Sequence, residues 1–243
     1  MDLLNLYSAE VAKLPEGNYF KSRGMSMCTN DSDNLEVMIA GCNPGIYKDE
    51  HPESNFTFQN PFLGNPINYF ARFCKFIPEN EREKVAYVDI FPFKEADEAT
   101  LLANIRGQEP FMAKILSITE AEIERINPNL LIIANKGTWP YWGAAEDCIW
   151  MGYDFQPVLE CDLPERLRGR NFDVRIIRGF RKGVFAESDI IYRPADGICK
   201  LSGTVALMSK YIRNIPSSQQ LTIDDYLELS AFAKQVKSIS KYL

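Results

Sequence analysis

Three short apolar runs constrain this chain more than any other feature. Residues 35–40 (Leu-Glu-Val-Met-Ile-Ala), 85–91 (Val-Ala-Tyr-Val-Asp-Ile-Phe) and 129–134 (Asn-Leu-Leu-Ile-Ile-Ala) have strand-type composition and turn residues at their ends. Each is apolar on successive positions rather than alternate ones. Strands of that kind are covered on both faces, which is the condition of a parallel sheet with helices above and below. Between them, Pro66 to Ile77 carries Ile67, Phe70, Phe73, Cys74 and Ile77 at helical spacing, with proline in the first turn. Phe111 to Ile126 repeats the pattern through Ile115, Leu116, Ile118, Ile123 and Ile126. The fold class expected is α/β, a three-layer α/β/α arrangement around a central, mainly parallel sheet, in one domain spanning 1–243.

After the third run the rhythm loosens, and residues 138–192 read as an elaborated segment. Trp139-Pro-Tyr-Trp142 opens an aromatic-rich stretch and Pro157 to Pro164 reads as loop. Val174 to Phe180 and Val184 to Tyr192 are expected strands, separated by a turn at Arg181-Lys-Gly183. Helices are expected from about Thr204 to Arg213 and from about Thr222 to Tyr242.

Composition and cysteine usage exclude several function classes. The 243 residues are 46% hydrophobic and 25% charged, a globular balance. Met1 to Leu14 does not read as a secretory signal, and no stretch approaches the ~20 apolar residues of a membrane helix, so a cytoplasmic protein without a membrane partner is expected. Six cysteines (Cys28, Cys42, Cys74, Cys148, Cys161, Cys199) form no Cys-x-x-Cys pair and read as free thiols. The single histidine, His51, cannot build a multi-histidine metal site. Phosphate-loop and dinucleotide patterns are absent, so no cofactor and no metal is expected.

The net charge of −6 conceals an asymmetry. Residues 166–215 hold eleven Lys/Arg against four acids, a local excess of +7, leaving −13 for the remainder. Such polarity suits a basic face meeting phosphates; it equally suits arginines paired with neighbouring acids.

The first strand ends in Gly41-Cys-Asn-Pro-Gly45, a turn that aims one amide side chain. Open α/β sheets bind their ligands at the carboxyl ends of strands, which makes Asn43 the leading candidate residue. Asn43 could also simply cap the following segment.

Together these motifs resemble the uracil-DNA glycosylase superfamily, in its mismatch-specific and thymine-type branch, whose first motif is Gly-x-Asn-Pro-Gly. Asn60-Pro-Phe-Leu-Gly-Asn-Pro-Ile-Asn-Tyr-Phe70 and Asn127-Pro-Asn-Leu-Leu-Ile-Ile-Ala-Asn-Lys-Gly137 follow in the family's order, so the likeness spans roughly 35–137. It implies a metal-independent glycosylase that extrudes a nucleotide and hydrolyses the N-glycosidic bond of uracil or another altered base, on single-stranded DNA or mismatched duplex. By carry-over Asn43 positions the water, Gly41, Cys42, Gly45, Tyr47 and Asp89 surround the base, and Phe62 stacks on it. Phe56, Phe58 and Tyr47 are rival stacking rings, and Phe62 could be an ordinary core anchor.

Two departures from the family pattern bear on activity. Where the family often has Asn at the end of the second strand this chain has Asp89, which in ionised form accepts hydrogen bonds but cannot donate. The family's His/Asn-Pro-Ser wedge has no clear copy; the nearest string, Arg193-Pro-Ala-Asp-Gly-Ile-Cys-Lys-Leu-Ser-Gly203, offers Arg193, Lys200, Ser202 and Gly203 as DNA contacts. Arg193 could instead pair with Asp189 or Asp196. A catalytically inactive glycosylase-fold protein that binds nucleic acid, a free base or a protein partner is the alternative expectation. A small-molecule α/β hydrolase using Asp89 or Asp49 is a third.

Overall fold

The computed structural model describes residues 2–46, 53–67, 69–145, 150–170, 172–181, 198–209 and 220–240. In chain order these form α1 (Leu3–Val11), β1 (Ser26–Cys28), β2 (Val37–Gly41), β3 (Phe56–Phe58), α2 (Phe70–Phe73), β4 (Val85–Asp89), α3 (Glu98–Ile105), α4 (Glu109–Ile126), β5 (Leu130–Ile133), α5 (Trp139–Trp142), β6 (Tyr153–Pro157), β7 (Asp173–Phe180), β8 (Val205–Met208) and α6 (Ile223–Ser240). The fold is α/β with a mixed, mainly parallel central sheet.

That sheet runs β4-β2-β5-β8-β7-β6. Its first four strands are mutually parallel, and β7 and β6 extend it antiparallel. The three apolar runs of the sequence are therefore adjacent parallel neighbours, as their composition requires. Their alternate residues feed two apolar clusters. Met38, Ala40, Ala86, Val88, Leu131 and Ile133 meet residues of α1, α3 and α4 on one face. Val37, Ile39, Val85, Tyr87, Leu130 and Ile132 meet residues of α2 and α6 on the other. Each Val, Leu, Ile or Met side chain among them moved out of water contributes about 1.5–3 kcal/mol, so neither face can be left uncovered.

Helix α4 shows how the covering is fixed. Its 18 residues end at Asn127, left-handed at φ 49°, and Pro128 prevents continuation. Inside the helix, Thr119 joins three elements: it exchanges a 2.7 Å hydroxyl contact with Tyr7 of α1 and donates at 3.0 Å to the carbonyl of Ile90, just beyond β4.

Two expected elements differ. The stretch 204–213 was expected to be helical, but Val205–Met208 is a strand parallel to β5, with Val205 donating to Asn129 and Ser209 to Ile133. A four-residue apolar run has no period of its own, and the open edge of β5 decided it. The helix expected over 66–77 is regular only across Phe70–Phe73, where aromatic residues of low helix propensity pack into a cluster instead of sustaining a stripe. The strand expected at 184–192, its preceding turn at Lys182-Gly183, His51 and Cys148 lie outside the described residues.

Glu120 is the anomaly of the core. It is 1% exposed on α4, and neither carboxyl oxygen has a well-formed hydrogen bond. Burial pushes its pKa up to about 8, with the neighbouring Tyr153 hydroxyl pulling the other way and Glu124 adding to the rise. Because the folded pKa lies above the unfolded one, folding binds a proton between about pH 4.5 and 8, and stability falls as pH rises through that window. Glu120→Gln should therefore unfold at nearly the parental temperature at pH 5 but several degrees higher at pH 8.5, in thermal melts followed by circular dichroism. An equal shift at both pH values would sever the link to ionisation.

Candidate functional site

The chain order of the parallel strands reverses at β2, which has β4 on one side and β5 on the other. A crevice outside the carboxyl ends is expected at such a switch point. There the register sets Gly41 directly opposite Asp89. Both continue the series of side chains on the α2/α6 face, as does Tyr87 two residues earlier, whose hydroxyl donates to Asp89 Oδ1 at 2.7 Å. The lack of a side chain at position 41 makes this possible, because a Cβ there would run into the Asp89 carboxylate and the Tyr87 hydroxyl.

Asp89 retains some exposure at the strand end, yet its carboxyl is enclosed enough that burial pushes its pKa up to about 7. The Tyr87 hydrogen bond opposes that rise and is outweighed. Tyr87, buried at 3% exposure, is held well above its ordinary pKa by burial and by the adjacent carboxyl, so it stays a donor. With Oδ1 engaged, Oδ2 of Asp89 is a proton donor below neutrality and an acceptor above it.

Asn43 follows β2 in a bend and is half-buried. Its amide donates to the Pro44 carbonyl at 3.1 Å, which fixes the side chain and leaves Oδ1 uncommitted among the described residues. The turn is held from behind: Glu95 donates its backbone N–H to Pro44, and Gly45 bridges to Glu95, whose carboxylate takes Tyr19 and, at 3.3 Å, Arg23. Cys42 points the opposite way. Its side chain is buried in the α3/α4 cluster, its thiol is pushed well above the ordinary range by burial, then by Glu98 and Asp89, and its carbonyl accepts from Phe91. The Cys42 side chain thus belongs to the core, and only its backbone faces the turn.

The other expected site residues divide. Phe62 is fully buried, in edge-to-face contact with Phe70 at 5.8 Å and close to Phe73 and Tyr87. Its ring presents no open face for stacking, so it supports the floor beneath Tyr87. Lys200, Ser202 and Gly203 precede β8, and Thr204 bonds Pro128 ahead of β5, which puts them at the amino ends of the parallel strands. Asn43 and Asp89 sit at the carboxyl ends, a strand length of about 15 Å away. Lys200 lies 3.4 Å from Glu124, and Gly203, at φ +80°, donates to Ile177. Tyr47, Asp49 and Arg193 lie outside the described residues.

Sequence reasoning missed Glu98 and Asn135. Asn135, just past β5, donates to Glu98 at 2.7 Å and accepts from Gly137, whose missing side chain makes room for that carboxylate. The signal was an amide directly after an apolar run, the same signature that singled out Asn43. Among the described residues no three His, Cys, Asp or Glu side chains are grouped to hold a metal.

Among the described residues, several arginines of the basic segment are engaged. Arg166 meets Asp224 at 2.6 Å, Arg170 meets Asp225 at 3.1 Å, Arg175 meets Asp173 at 2.8 Å, and Arg181 donates to the carbonyls of Gly143 and Ala145. No protein-family model matches the chain, and no curated protein does either.

If lack of space alone keeps position 41 glycine, Gly41→Ala should cost about 1–3 kcal/mol in urea unfolding. Most of that loss should vanish in a Tyr87→Phe/Asp89→Ala background, since the colliding atoms are gone. A cost that persists unchanged would mean that position 41 is restricted by something other than these two groups.

Proposed function

We propose that the chain hydrolyses the N-glycosidic bond of an altered base, uracil among the candidates, in single-stranded DNA or mismatched duplex. One observation carries the reading: at the carboxyl end of β2 an amide with an uncommitted oxygen, Asn43, stands in the same strand-end cluster as a carboxyl poised near neutrality, Asp89. The finer description of the fold, three α/β/α layers of uracil-DNA glycosylase type, is part of the proposal. It is supported by α1, α3 and α4 over one face of the sheet and α2 and α6 over the other.

In this reading Asn43 Oδ1 accepts a hydrogen bond from the attacking water, and that water's oxygen bonds to the sugar carbon. The glycosidic electron pair leaves with the base nitrogen, and the water's proton passes to the departing base. Neutral Asp89 donates through Oδ2 to a base carbonyl oxygen, where negative charge accumulates as the bond breaks. A protonated carboxyl thereby restores the donor that an ionised aspartate lacks. Binding without chemistry is the second reading. It is favoured by the position of Lys200, Ser202 and Gly203 at the opposite end of the sheet, which leaves the strand-end cluster without them as DNA contacts.

Single-turnover release of free base from uracil-containing oligonucleotides tests the first reading. Asn43→Ala should slow release about 100-fold or more with little change in oligonucleotide affinity, because the contact to water matters in the transition state. Release of uracil by the parent should fall as pH rises through about 7, since the donor on Asp89 is lost there, and Asp89→Asn should flatten that profile. Absence of release from every substrate by parent and variants, with binding retained, would leave the second reading.

A further inference from the structure

A cavity lies between α3, the start of α4 and the aromatic stretch that follows β5. Its volume is about 390 Å³, toward the small end of ligand pockets. Ala99 and Ala103, one helical turn apart on α3, create the space by their small size, with Leu102 and Ile105 as apolar wall. The opposite side is aromatic. Tyr141 packs edge-on to Phe91 at 4.9 Å and tilted to Trp150 at 5.4 Å, and both Tyr141 and Trp150 remain partly exposed.

Two charges stand at the mouth, and they differ in availability. Glu109 is engaged: its carboxylate accepts from the Gly107 N–H at 2.9 Å, and these backbone bonds hold its pKa below the ordinary range. It also answers the partial positive charge of the α4 N-terminus. Arg106, exposed at the end of α3, makes no ion pair or hydrogen bond among the described residues. An aromatic wall beside an unengaged guanidinium fork suits a flat ring carrying a carboxylate or phosphate.

We propose that this cavity binds a small planar aromatic anion, with the ring against Trp150 and Tyr141 and the negative group on Arg106. The inference is independent of the glycosylase reading. Its ligand class is shared by aromatic carboxylates and nucleoside monophosphates, and the two are separable by titration. Adenosine monophosphate, indole-3-acetate and uncharged adenosine, each titrated against the whole protein by calorimetry, distinguish them. At least one of the two anions should bind, and adenosine at least about tenfold more weakly. Binding of the phosphate alone identifies a nucleotide site, and binding of the carboxylate alone an aromatic-acid site. Arg106→Ala should weaken the anion about tenfold and leave adenosine unaffected. Ala103→Leu, which fills the cavity from an exposed helical position, should abolish binding of either. The proposal is overturned if no anion binds at millimolar concentration, if adenosine binds as well as the anions, or if folded Arg106→Ala and Ala103→Leu proteins bind like the parent.

Discussion

Everything in this structure depends on the parallel pairing of β4, β2, β5 and β8, four strands of four or five residues whose side chains, Asp89 apart, are buried on both faces. A parallel pair cannot be closed by a tight turn, so each connection must cross the sheet. The same connections that cover the apolar faces also bring the strand ends together. At those ends the backbone stops hydrogen-bonding in register and polar residues become tolerable, which is why Asn43, Asp89 and Asn135 all appear within two residues of a β-strand end.

Within that frame the Gly41–Asp89 register pair is decisive for chemistry. A glycine is used where its neighbour's side chain must lie flat across the adjacent strand, and the carboxyl so placed trades solvation for contact with Tyr87. Desolvation favours the neutral acid and outweighs the phenolic hydrogen bond, leaving a group that changes from donor to acceptor near neutral pH. The same physics acts on Glu120, deeper in the core and distant from the strand ends, where its consequence is for stability.

Electrostatics distribute unevenly over the molecule. Several arginines in the basic segment are tied to Asp173, Asp224 and Asp225 or to backbone carbonyls, so an excess of positive charge in sequence does not translate into an equal excess of free guanidinium groups. Arg106 lies outside that segment and is unengaged among the described residues, beside an aromatic cavity. Availability, not count, decides which charges can meet a ligand.

The sequence by itself determined the α/β class, three adjacent parallel strands of the sheet, the long helix α4 and the turn after β2. These follow from local information: runs buried on both faces, a 3.6-residue stripe, and Gly and Pro bracketing an amide. Tertiary structure decided the rest. Val205–Met208 has no period that separates strand from helix, and only the open edge of β5 made it a strand. Phe62 looked suited to stacking because aromatic residues serve both cores and ligands, and packing against Phe70, Phe73 and Tyr87 placed it in the core. The Arg193–Gly203 string offered Lys200, Ser202 and Gly203 as DNA contacts, yet these three lie at the amino ends of the strands, because strand direction is a property of pairing, invisible along the chain. The pairing of Glu98 with Asn135 joins residues 37 positions apart, a distance no local pattern spans.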